Sequence, residues 1–149
     1  MNRKDNSHLT AMRRGKLSAP MRTIIRMEKD LRVGSVLRCL DYGCGHGDDA
    51  RELGMEMYDP HWFPEMPKGK FDIITCIYVL NTISKAKGEA VLKDIKKRLN
   101  PGGRAYIVVR RDVKGKWLTQ RGTYQHNVVL KLPMLRETAG HAIYKIEKG

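Results

Sequence analysis

Residues 35–53, SVLRCLDYGCGHGDDAREL, decide the fold. The apolar run 35–41 reads as a strand closing on Asp41, and glycines follow at Gly43, Gly45 and Gly47 before a short helix over 48–53. Glycines at alternate positions remove side chains, so the backbone can turn sharply and let a ligand approach closely. The spacing is G-x-G-x-G behind an acid, not the G-x-G-x-x-G of dinucleotide loops, and a pyrophosphate gains little from a neighbouring aspartate. The turn therefore favours a ligand carrying a cationic amino-acid group. Asp59 closes the next strand, 59 − 41 = 18 positions on. An acid at that distance binds ribose hydroxyls in doubly wound folds.

Outward from this turn, Ser18 and Pro20 read as a helix start, with Ile24, Ile25 and Met27 on an amphipathic helix ending near Arg32. Gly54 stops the second helix, 55–58 is a strand, and 59–70 (DPHWFPEMPKGK) is a loop. Residues 71–79 (FDIITCIYV) are apolar on both parities, as a central strand should be, with Asp72 expected as an exposed edge residue. A helix is expected over 84–99, with Val91, Leu92, Ile95 and Leu99 as its buried stripe and lysines elsewhere, Glu89 pairing with Lys93. The tetrapeptide NPGG at 100–103 should end it, 104–109 is a strand, and 110–126 is a long basic loop. Residues 128–132 and 142–146 are expected to pair as an antiparallel hairpin, with a helix near 134–139 as the alternative. Strands alternating with helices imply an α/β, Rossmann-like doubly wound, mostly parallel sheet.

The chain has 149 residues, one domain's worth, with a basic N-terminal arm over 1–17. Lys+Arg 29 against Asp+Glu 16 leaves a net charge of +13, which favours a polyanionic partner. No apolar run reaches the roughly 20 residues of a bilayer span, and no apolar segment follows the basic N-terminus. Three cysteines, Cys39, Cys44 and Cys76, sit in or beside strand-like segments, which suggests reduced thiols in the cytoplasm. Cys39-x4-Cys44-x-His46 matches no usual zinc spacing, so no metal is expected, and His46 reads as solvent-facing filler. Met55, Met57 and Met66 read as packing residues.

Strand–DYGCGHG–helix, Asp59, FDIITCIYVLNTI and NPGGRAYIVV together resemble a class I S-adenosylmethionine-dependent methyltransferase over residues 36–109. HLTAMRRGKLSAP (8–20), DYGCGHGDD (41–49), YDP (58–60), YVLNTI (78–83) and TQRGTYQ (119–125) further resemble the methyltransferases found with DNA phosphorothioation systems. The resemblance implies Asp41, Gly43, Cys44, Gly45 and Gly47 around the methionine part of S-adenosyl-L-methionine and Asp59 on its ribose. Tyr78, Val79 and Asn81 would line the adenine or methyl-donor side. Only about a dozen residues separate Asp59 from Phe71, too few for the helix and outer strand of the full-size class I sheet, so the fold is expected to be a minimal one. Trp62 and Phe63 would then wall the adenine.

The Asn/Asp-Pro-Pro-Tyr tetrapeptide of the amino-methylating DNA enzymes is replaced here by Val79-Leu80-Asn81-Thr82, and Cys76 reads as core. Candidate bases are Asp112, Tyr124 and His126. Arg13, Arg14, Lys16, Arg110, Arg111, Lys114, Lys116 and Arg121 are the candidate phosphate contacts, with Trp117 and Tyr124 interleaved for stacking. The expectation is a methyltransferase acting on RNA or DNA. The rivals are a non-catalytic module binding S-adenosylmethionine or nucleic acid, and a methyltransferase acting on a small molecule or protein.

Overall fold

Ser18 starts the described structure by capping a helix: its hydroxyl oxygen accepts the Met21 amide at 3.4 Å, satisfying an N–H the first turn leaves orphaned. The computed structural model describes residues 16–113, 116–118 and 124–149. Helix α1 (Ala19–Met27) is followed by β1 (Cys39–Tyr42), α2 (Asp48–Leu53), β2 (Glu56–Tyr58), β3 (Phe71–Ile77), a 3-10 turn (Leu80–Thr82), α3 (Lys85–Lys97) and β4 (Leu99–Arg110). Strands β5 (Lys116–Leu118), β6 (Tyr124–His126), β7 (Met134–Glu137) and β8 (His141–Glu147) complete the chain. Six strands form one sheet in the order β2-β1-β3-β4-β8-β7. The first four are parallel, and β8 runs antiparallel to both β4 and β7. Among the described residues no strand lies outside β2, as the short 59–70 connection requires.

Period-two alternation in the strands builds a core on each face. Ala105, Ile107 and Val109 of β4 join Ile74, Cys76, Tyr144 and Ile95 of α3 on one side. Tyr106 and Val108 join Ile73, Ile143, Met21 and Ile24 of α1 and Ala50 of α2 on the other. Each such fully buried large side chain contributes roughly 1.5–3 kcal/mol relative to exposure. The Ser18 amide and hydroxyl also donate to the two oxygens of buried Asp49, at 2.9 and 2.7 Å, which docks α1 on α2.

Five expectations are corrected. The first strand begins at Cys39 rather than at residue 35. Asn100–Gly103 does not interrupt the chain between helix and strand: β4 starts at Leu99 and runs through it, the extra residues being absorbed as a register shift between Phe71 and Ile73. The basic segment 110–126 is not all loop, because β5 and β6 pair there as an antiparallel ribbon. The last hairpin joins β7 to β8, so 128–132 is not its first strand and 134–137 is not helical. Its turn is closed by Thr138, whose amide donates to the His141 carbonyl at 2.8 Å while its hydroxyl accepts the His141 amide at 3.0 Å. Asp72 is likewise no bare edge residue: it accepts the Arg38 amide at 2.9 Å and the Asn100 side-chain amide at 3.1 Å, clamping the starts of three strands.

Candidate functional site

Asp41 and Asp59 stand at the carboxyl ends of adjacent parallel strands, where open α/β sheets bind their ligands. Both are buried, at 4% and 8% exposure. In the parallel register Asp41 lies opposite Thr75, whose hydroxyl donates to it at 2.9 Å. Thr75 is a member of the site that sequence reading missed. The available signal was its place as the one aliphatic hydroxyl within the apolar run FDIITCIYV.

The glycine turn between them is locked by its own amides. Gly43 and Cys44 both donate to the Tyr58 carbonyl, at 2.7 and 3.1 Å, and Gly47 donates to the Cys44 carbonyl at 3.0 Å. Gly45 donates to Asp59 Oδ2 at 2.9 Å. These four amides are spent inside the protein, so the turn is not a phosphate nest, in line with the leading aspartate. Gly43 and Gly47 each hold φ 82°. A Cβ on Gly43 would stand 2.3 Å from Val79 Cγ2, and one on Gly47 2.6 Å from Met57 Sδ. Only glycine meets both demands.

Asp59 Oδ1 also accepts the amides of His61 and Trp62, at 2.9 and 3.1 Å. With reciprocal backbone bonds between Asp59 and Phe63, at 2.9 and 3.0 Å, this folds the loop tightly and presents Trp62 at 40% exposure. An ionised carboxylate offers about four acceptor positions, and three are occupied by backbone here, so one remains for a ligand hydroxyl. His46 is not solvent-facing filler: its ring centroid lies 4.3 Å from that of Trp62, with His61 at 4.6 Å on the same indole. Cys44 lies between the two acids. Burial, then the charges of Asp41 and Asp59, push its thiol up to about 12, which rules it out as a nucleophile near neutral pH. Asp41 and Asp59 thus flank the turn from the ends of adjacent strands.

Tyr78, directly after β3, is the described non-glycine residue at positive φ, 62°. A bulky side chain in that region costs about 1–2 kcal/mol, which nothing in the sequence announces. Val79 packs over Gly43. Asn81 is fully buried, and backbone groups take its polar atoms. Its amide donates to the carbonyls of His126 and Arg110, at 2.9 and 3.4 Å, and its Oδ1 accepts the Arg110 amide at 2.8 Å.

Two of the candidate bases are engaged by other groups. His126 is buried with Nε2 at 3.0 and 2.6 Å from the carbonyls of Leu80 and Ile83. Carbonyl oxygens only accept, so that nitrogen carries the proton and is no base. Asp112 is held below the usual carboxylate range by the two hydrogen bonds from Arg110, both 2.9 Å. Tyr124 lies in β6. Of the candidate phosphate contacts, Arg110 pairs with Asp112 and Arg111 with Glu137 at 2.8 Å, while Lys16 is exposed. Lys116 lies in β5, and Arg13, Arg14, Lys114 and Arg121 lie outside the described residues. No described helix is long and apolar enough to cross a membrane, and no described group of three or more His, Cys, Asp and Glu side chains could hold a metal.

A glycine turn and two buried acids at the carboxyl ends of a Rossmann-like sheet define a cofactor-binding α/β protein of the class I methyltransferase type. Residues 10–146 match a family described as a methyltransferase domain, and the chain belongs to it. No curated protein matches the sequence. Among solved structures it is similar to the 1,6-didemethyltoxoflavin-N1-methyltransferase of Burkholderia thailandensis, with bound 1,6-didemethyltoxoflavin and S-adenosylhomocysteine. That match has a TM-score of 0.61 and 14% identity over 97% of this chain and 79% of that one. It is also similar to TehB from Haemophilus influenzae, at a TM-score of 0.56 and 16% identity over 91% of this chain and 64% of that one. A third match, PKMT2 from Rickettsia typhi in complex with AdoHcy, has a TM-score of 0.37 and 22% identity over 48% of this chain and only 20% of that one. The first two likenesses establish the fold.

Proposed function

We propose that this chain is an S-adenosylmethionine-dependent methyltransferase whose acceptor is a nucleic acid. The observation that carries the cofactor is that Asp41 and Asp59 flank a turn whose amides are already satisfied. Such a site suits a ligand that brings cationic and hydroxyl donors rather than phosphates. Asp41, steadied by Thr75, would hold the amino group of the methionine part, with Gly43, Cys44, Gly45 and Gly47 along it. Asp59 would take one ribose hydroxyl, and Trp62, braced by His46, would cover the adenine. Tyr78 and Val79 would close the methyl-donor side, and Asn81 acts behind them as a positioning residue. Bound S-adenosylmethionine supplies an activated methyl on a sulfonium. The protein's own contribution is orientation for in-line approach of the acceptor, which carries much of the rate in such transfers.

Because His126 and Asp112 are committed elsewhere, the site fits an acceptor atom with an available lone pair, such as a ring nitrogen, that need not lose a proton early. The net charge of +13 and the likeness to methyltransferases found with DNA phosphorothioation systems support a nucleic-acid acceptor. The ion pairing of Arg110 and Arg111 favours the second reading, a small-molecule acceptor.

Calorimetric titration with S-adenosylmethionine and S-adenosylhomocysteine tests the cofactor: micromolar binding lost in Asp41→Ala is expected, and no binding by the wild type would overturn the reading. A labelled-methyl screen of RNA, DNA and small molecules then tests the acceptor. Label entering the nucleic-acid pools is expected, and label entering only the small-molecule pool would move the assignment to the second reading.

A further inference from the structure

Of the cations in the expected basic loop, Arg110 and Arg111 are ion-paired, whereas four lysines of α3 are not. Lys85, Lys93, Lys96 and Lys97 are exposed, and among the described residues none of them forms an ion pair. The pair expected between Glu89 and Lys93 is absent, and the other acid of the helix, Asp94, is taken by the Tyr42 hydroxyl at 2.7 Å and by Arg98 at 3.0 Å. At 3.6 residues per turn the four lysines fall within roughly a third of the helix circumference, so they form one row.

That row has a direction. The helix follows the 3-10 turn at the carboxyl end of β3, beside the cofactor site, and runs to the start of β4 at the opposite pole. Its 13 residues span about 20 Å, roughly six nucleotides of strand at about 3.4 Å each. At the far pole two more lysines arrive from separate elements. Lys70 immediately precedes β3, and Lys148 is pinned beside β4 by backbone bonds with Gly102 and Gly103, at 2.8 and 2.9 Å. Loss of hydration, then the like charges of Lys70 and Lys96, hold the Lys148 ammonium below its ordinary value. Such crowding is relieved by a bound polyanion. The exposed large hydrophobics (Met27, Val33, Val36, Trp62, Val129, Met134 and Leu135) all lie outside α3. A row of cations without an apolar centre matches a phosphate backbone better than a folded protein partner, whose interface needs such a centre.

We infer that the lysine row of α3, continued by Lys70 and Lys148, docks the phosphate backbone of a nucleic-acid strand and leads it to the cofactor pole. The inference rests on the nucleic-acid reading of the acceptor and moves the docking surface away from Arg110 and Arg111.

Fluorescence anisotropy with labelled 20-nucleotide strands of RNA and of DNA, titrated over a range of salt concentrations, tests it. The variant Lys85→Gln/Lys93→Gln/Lys96→Gln/Lys97→Gln should make the dependence of log affinity on log salt shallower by about 3, four contacts at about 0.7 each for a single strand. Arg110→Gln/Arg111→Gln should leave that slope in place. Calorimetry with S-adenosylhomocysteine confirms that both variants keep the folded cofactor site. An unchanged slope in the α3 variant would overturn the docking surface, while methyl transfer to nucleic acid by the same wild-type preparation would leave the acceptor reading intact. A wild type that binds neither strand, or binds with a flat salt response, would overturn both.

Discussion

Gly45 donates its amide to Asp59 Oδ2 at 2.9 Å, which ties the turn after β1 to the end of β2. The same carboxylate thus shapes the turn and faces the ligand. Asp59→Ala should lose both roles. Three buried or half-buried amides would go unpaired, at about 1–3 kcal/mol for each fully desolvated one, and cofactor affinity should fall at least tenfold. Asp59→Asn keeps part of the acceptor set and should recover most of the stability but not the affinity. Urea unfolding and calorimetry on the two variants separate the roles; full affinity in Asp59→Ala would remove the residue from the ligand's side.

Trp62 is half exposed yet held between two imidazoles, so its loss should barely alter folding. Trp62→Ala is expected to weaken S-adenosylhomocysteine by about tenfold, in keeping with roughly 0.5–1.5 kcal/mol for an aromatic stack beyond its area burial. A dissociation constant equal to that of the wild type would take the indole out of the site.

Gly43→Ala should cost about 2–4 kcal/mol, the sum of the left-handed backbone penalty and the overlap of the new methyl with Val79 Cγ2. Adding Val79→Ala makes room for the methyl but leaves φ unchanged. The double variant should therefore be less unstable than the two single losses added together, and simple additivity in a thermal-unfolding cycle would show that the two residues do not touch.

Glu28 is buried against α1, and its two oxygens accept from Arg104 at 2.6 and 2.7 Å and from the Tyr106 hydroxyl at 2.8 Å. The Arg104 hydrogen bonds outweigh burial and hold its carboxyl below the ordinary 4.5. A depressed folded value means that this stabilisation is complete above pH 4.5 and is lost as pH falls through the folded value. Glu28→Gln should be about 1.5–3 kcal/mol less stable than wild type at pH 7, and the gap should close towards pH 3. Urea unfolding at the two pH values reads this directly; a gap independent of pH would assign the loss to shape rather than charge.

The sequence by itself determined the strand–turn–helix–strand start, the Gly54 stop, the missing outer strand and the pairing of Asp41 with Asp59 across one turn. These follow from local periodicity, from glycine's freedom and from a connection too short to hold another helix and strand. Tertiary structure decided the rest. Thr75 reaches Asp41 through strand register, and Glu28 meets Arg104 across 76 positions, which no local pattern encodes. Asn81 was a site candidate through the family resemblance and His126 through a side chain that can act as a base. Folding buried both and spent them on backbone groups, since a desolvated polar atom must find a partner. Arg110 and Arg111 shared a basic run with the other cations, yet Asp112 and Glu137 neutralise them, whereas four lysines of α3 stay unpaired on the exposed face that helical periodicity gives them. Charge is a property of the residue, but whether it is available to a ligand depends on which neighbours the fold brings to it.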